Sequence, residues 1–106
     1  MTAVRNRYLV CYDIADPKRL RRIFKKMHGF GDPLQYSVFK CDLNAAERAL
    51  LLGALQELLN TQEDRVMIVR FGRVDECRDD RVEFLGKLLA PWQQSARREP
   101  APREVT

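Results

Sequence analysis

Hydrophobic and polar positions alternate in blocks that switch between strand and helix periods. Tyr8–Tyr12 (YLVCY) is an unbroken apolar and aromatic run of strand formers, which predicts an interior strand covered on both faces. After Asp16 and Pro17 the period changes. Leu20, Ile23, Phe24 and Met27 follow at i, i+3, i+4, i+7, the stripe of an amphipathic helix. Asp16 is a preferred N-cap, and proline is favoured in the first helical position. Gly29 and Gly31 are expected to stop this helix. Leu34–Leu43 (LQYSVFKCDL) alternates again, with enough length for one bent strand or two short ones.

Asn44 and Glu47 have capping-box spacing, with asparagine in place of serine or threonine. They open a second predicted helix, with Leu51, Ala54, Leu55 and Leu58 as its apolar stripe and an end near Asn60. Arg65–Phe71 (RVMIVRF) is a further strand, and Val82–Leu85 (VEFL) a short last one. Two helices against one mainly antiparallel sheet is an α+β, ferredoxin-like arrangement of the βαββαβ type. It fits a single domain over residues 1–92, with Trp92 as an edge packing residue. From residue 93 to 106 the chain turns to Gln, Ser, Arg, Glu and Pro, and a disordered tail is expected.

Length and charge narrow the function. At 106 residues the chain builds one small core, so self-association would help it. The net charge is +4, from 19 basic and 15 acidic residues, and its placement is uneven. Lys18, Arg19, Arg21, Arg22, Lys25 and Lys26 all lie on the first helix, with no acidic residue between Pro17 and Gly29. A solvated helix face usually mixes signs, because opposite charges at i, i+4 support it and like charges oppose it. An uncompensated cluster reads as a phosphate-binding surface without sequence readout.

Other chemistries lack their residues. Cys11, Cys41 and Cys77 form no CxxC pair, which argues against a zinc knuckle or disulfide scaffold and for a reducing compartment. His28, the only histidine, is placed to meet the helix dipole rather than to serve a Ser–His or Cys–His pair. No phosphate-binding glycine loop occurs. Neither a leader nor a bilayer-length apolar run is visible, so a cytoplasmic protein is expected. Asp13 has no capping duty and ends an apolar strand. It is either a turn aspartate or an oxygen ligand for a hard cation. One carboxylate per chain holds magnesium poorly; two, from two subunits across a symmetry axis, would hold it well.

The stretch YLVCYDIADPKRLRRIFKKMHGFG followed by LQYSVFKCDL resembles the small CRISPR-associated Cas2 family, and Arg81–Gly86 (RVEFLG) resembles its closing strand. The resemblance implies a homodimer with its C-terminal strand exchanged or packed across the interface. It implies Mg2+ shared between the two Asp13 side chains, and a metal-dependent endonuclease acting on single-stranded RNA or double-stranded DNA. It further implies a scaffold for the CRISPR integrase in spacer acquisition. Tyr12, Asp13, Arg22 and Phe39 fall on positions that the family associates with activity. Two positions depart: Leu20 and Pro33 stand where some nuclease members carry arginine. A non-catalytic DNA scaffold is therefore the alternative, and a ferredoxin-like RNA-recognition module ranks below both because RNP-type aromatics are absent.

Overall fold

The computed structural model describes residues 4–78 and 82–87. The expectations for Arg81, for Trp92 and the domain end beside it, and for the tail from residue 93 lie outside the described residues. The elements are β1 (Asn6–Asp13), α1 (Pro17–Met27), β2 (Asp32–Gln35), β3 (Val38–Leu43), α2 (Ala45–Leu58) and β4 (Arg65–Arg73), then a 3-10 turn at Val74–Glu76. The sheet order is β2-β3-β1-β4, with every neighbouring pair antiparallel. This is the ferredoxin-like arrangement.

Both helix starts form as the sequence predicts. The Asp16 carboxylate accepts from the Arg19 N–H at 2.8 Å. In the capping box the Glu47 N–H donates to Asn44 and the Asn44 N–H donates to Glu47, each at 2.8 Å. The bond from the Asn44 amide, helped by the Arg5 guanidinium, holds the Glu47 carboxyl below its ordinary range.

The end of α1 differs from expectation. Neither Gly29 nor Gly31 takes a left-handed conformation; the helix closes by amides of His28, Gly29 and Phe30 bonding three residues back. Gly31 is required for another reason. A Cβ there would collide with the Lys40 carbonyl and lie 2.7 Å from the Cys41 sulfur, so glycine lets the chain cross close to β3. Gly72 does use its freedom: at φ 134° it faces Arg7 beside a bulge in the β1–β4 ladder.

Strand alternation sends Tyr8, Val10 and Tyr12 to the helix side. There they meet Phe39, Cys41 and Leu43 of β3, Ile23 and Met27 of α1, and Leu51 and Leu55 of α2. Each fully buried aliphatic or aromatic side chain contributes about 1.5–3 kcal/mol. Among the described residues no helix lies on the opposite face of the sheet, whereas the sequence predicts β1 to be covered on both sides. Val82–Leu85 also forms no strand: among the described residues it pairs with neither open edge of the sheet, β2 or β4. Val82 instead lies over the helix-free face beside Leu9, Leu34 and Phe71, while Leu85 is 98% exposed. Among the described residues no helix is long and apolar enough to cross a membrane.

Candidate nucleic-acid interface and metal ligand

Asp13 is the last residue of β1, exposed and directly opposite Arg65 in the β1–β4 register. Alternation places it on the helix-free face, the side opposite Tyr12. Among the described residues no hydrogen bond or ion pair engages its carboxylate, so both oxygens remain available as hard donors for a cation such as Mg2+. No three His, Cys, Asp or Glu side chains gather into a metal cage among those residues. Asp13 thus fits magnesium as one half of a site, with a single anionic ligand per chain.

The turn that follows is held by a residue that pattern reading does not single out. Asp64, in the loop between α2 and β4, has no exposed side-chain surface. It accepts from the Ala15 N–H at 2.9 Å and the Asn60 N–H at 2.9 Å. It also accepts from Arg19, at 2.6 Å from Nε and 3.0 Å from Nη2. The Arg19 bonds, foremost, hold the Asp64 carboxyl well below the usual carboxylate range. Asp16 clamps the turn from the helix side and Asp64 from the loop side, fixing the backbone just after Asp13.

This geometry corrects the reading of Arg19. Its guanidinium is committed to Asp64, and Nη2 also meets Glu63 at 3.2 Å. It therefore serves the fold of the turn, not a free phosphate surface. Lys18, Arg21, Arg22, Lys25 and Lys26 are different. All five are exposed, and none has an acidic partner among the described residues.

Two further positions named by the resemblance are interior. Phe39 is fully buried, and Tyr12 is 6% exposed. The Tyr12 hydroxyl donates to the Tyr36 carbonyl at 2.7 Å, and burial pushes its phenol well above the ordinary range, so it stays protonated. Phe39 lies edge-on beneath Phe24 at 5.5 Å and His28 at 5.3 Å. Both act through what they support. His28 rests at the end of α1 with Nδ1 2.9 Å from the Phe24 carbonyl oxygen, a structural placement. Buried Cys41, its thiol pushed up to about 12 mainly by desolvation, offers no nucleophile.

Comparison with known proteins agrees with this architecture. The sequence model of the family described as CRISPR associated protein Cas2 matches residues 6–78. A Rhodospirillum rubrum protein named CRISPR-associated endoribonuclease Cas2 1 is 39% identical over 89 residues, covering 84% of this chain and 86% of its own length. A Geobacter sulfurreducens protein named CRISPR-associated endoribonuclease Cas2 is 40% identical, covering 84% and 93%. The crystal structure of Streptococcus pyogenes Cas2 at pH 6.5 superposes with a TM-score of 0.68 at 30% identity, covering 76% of this chain and 99% of that one. With the family match spanning both helices and all four strands, the chain belongs to the CRISPR-associated Cas2 family.

Proposed function

We propose that this chain acts in CRISPR adaptation as a homodimeric, magnesium-dependent endonuclease that grips nucleic acid through α1. The carrying observation is the placement of Asp13: exposed, its carboxylate without a partner among the described residues, and at the end of a sheet face whose apolar strip no described helix covers. On that face Met67 is 58% and Val69 38% exposed, opposite Cys11 and Leu9 in register. An uncovered apolar sheet face marks an interface. A second copy docked there brings a second Asp13 toward the first, and the exposed segment around Leu85 is available to the partner's sheet. A divalent cation held by the two carboxylates supplies Lewis-acid polarisation of a phosphate oxygen. The chain's own part is to hold Asp13 in place through the Asp16 and Asp64 clamps. Lys18, Arg21, Arg22, Lys25 and Lys26 neutralise the flanking phosphates.

A second reading, a DNA-binding scaffold for the CRISPR integrase without cleavage, is favoured by a specific observation. Leu20 packs against the core and Pro33 is fully buried, so at the two positions where some nuclease members carry arginine this chain has uncharged side chains that cannot neutralise a phosphate.

The test compares wild type, Asp13→Asn and Asp16→Ala on single-stranded RNA and double-stranded DNA, with and without Mg2+. Asp13→Asn should abolish magnesium-stimulated cleavage while stability moves by less than about 0.5 kcal/mol, as for an ordinary surface change. Asp16→Ala should cost about 1 kcal/mol for a lost cap and keep cleavage. Undiminished cleavage by Asp13→Asn removes the metal assignment. A wild type that binds but never cleaves leaves the scaffold reading.

A further inference from the structure

The sequence singles out α1 as a set of cations, but the structure gives that helix an aromatic neighbour. Tyr36 lies in the turn between β2 and β3, and its side chain is 69% exposed. An exposed tyrosine on a turn is usually mobile; here the backbone beneath it is pinned. Buried Tyr12 holds the turn twice, with its hydroxyl on the Tyr36 carbonyl at 2.7 Å and its N–H on the Ser37 carbonyl at 3.0 Å. The Tyr36 ring tilts against Phe24, with centroids 5.6 Å apart and planes at 46°. His28 meets the same Phe24 edge-on at 4.7 Å. Leu20 and Phe24 line the hollow between α1 and this turn, with Tyr36 and His28 beside them. Its volume, about 910 Å3, lies within the roughly 300–1,000 Å3 of ligand clefts. Lys18, Arg21, Arg22 and Lys25 border it, and among the described residues no acidic one does.

We propose that this hollow is a stacking subsite for an unpaired nucleobase, with the cations of α1 holding the phosphates on either side of it. The inference rests on the nucleic-acid reading above and adds what that reading lacks, a preference for an open base face. Cations alone attract duplex and single strand alike. An exposed aromatic ring on a fixed backbone gains contact only from a base whose face is free, at an end, a flap or a single strand. The absence of carboxylates around the hollow suits a polyanion. Its apolar floor suits a flat ring. The arrangement also gives Tyr12 and Phe39 a common purpose: one anchors the Tyr36 backbone, and the other supports Phe24 and His28 from below.

Fluorescence anisotropy of the full chain, without added metal to avoid cleavage, separates the outcomes. The probes are fluorescein-labelled 12-mers of oligo-riboadenylate and oligo-deoxyadenylate and a blunt duplex of equal length. Tyr36→Ala should weaken both single strands by roughly 5- to 100-fold, the range for losing one stacked base, and leave the duplex within about twofold. Tyr36→Trp should restore single-strand affinity. Replacing Arg21 and Lys25 together by alanine should weaken all three probes and flatten their salt dependence. Equal losses on duplex and single strand, a loss confined to one of the two sugars, or unchanged single-strand binding by Tyr36→Ala would each overturn the stacking subsite. Failure of the wild type to bind any of the three probes would instead overturn the nucleic-acid reading beneath it.

Discussion

The two faces of the sheet are built from the same strands and alternate residues, yet they are chemically different. On the helix side Val10, Phe39 and Cys41 are wholly inaccessible, whereas Met67 and Val69 across the sheet are 58% and 38% exposed. The first face supplies the stability of the single chain. The second carries an apolar strip beside charged residues such as Arg7 and Lys40, with no helix over it among the described residues. It ends at Asp13, whose carboxylate has no partner among those residues. Neighbouring residues therefore do unrelated work. Tyr12 turns inward and holds the Tyr36 turn by a hydrogen bond; the Asp13 carboxylate turns outward and bonds nothing among the described residues. Motif reading groups Tyr12, Asp13, Arg22 and Phe39 as one set, and strand geometry divides that set between core, open face and helix surface.

The largest effect belongs to the covered face. Phe39→Ala removes the ring that contacts Tyr12, Phe24 and His28 and should cost about 3–5 kcal/mol in urea unfolding. A loss below about 1 kcal/mol would mean that the fold does not depend on this face as described.

On the open face the expected change is in assembly. Met67→Glu places a charge in an apolar surface, and light scattering should report a monomer whose melting temperature matches that of the dissociated wild type. A dimer that survives this substitution would move the interface elsewhere and with it the paired Asp13 site.

The smallest effect lies at the turn joining the two faces. Asp64 is ionised with a folded pKa below its unfolded value, so its stabilisation is fully present above about pH 4 and is lost as pH falls through the folded value. Melting temperature should therefore decline on acidification below pH 4. Asp64→Asn should start lower at neutral pH and decline less steeply. Parallel curves for the two proteins would exclude Asp64 as the group responsible.

Much of this molecule was determined within short reach of the chain. Asp16 and Asn44 cap their helices because donor and acceptor lie three residues apart, a distance at which local geometry alone brings them together. Periods of two and 3.6 specify which side of each strand and helix is apolar, and the cation cluster of α1 is legible because its residues are consecutive. Tertiary structure decided what depends on distant partners. Arg19 looked like its neighbours until the fold brought in Asp64, 45 positions away, and a buried carboxylate with several donors outcompetes solvent for a guanidinium. Val82–Leu85 has strand composition, yet it joins neither open edge of the sheet among the described residues; composition alone does not choose a strand's partner. Tyr36 became a candidate contact only when Tyr12, 24 residues earlier, fixed its turn beside Phe24. Periodicity can say that a side chain faces outward; only the assembled fold says what it faces.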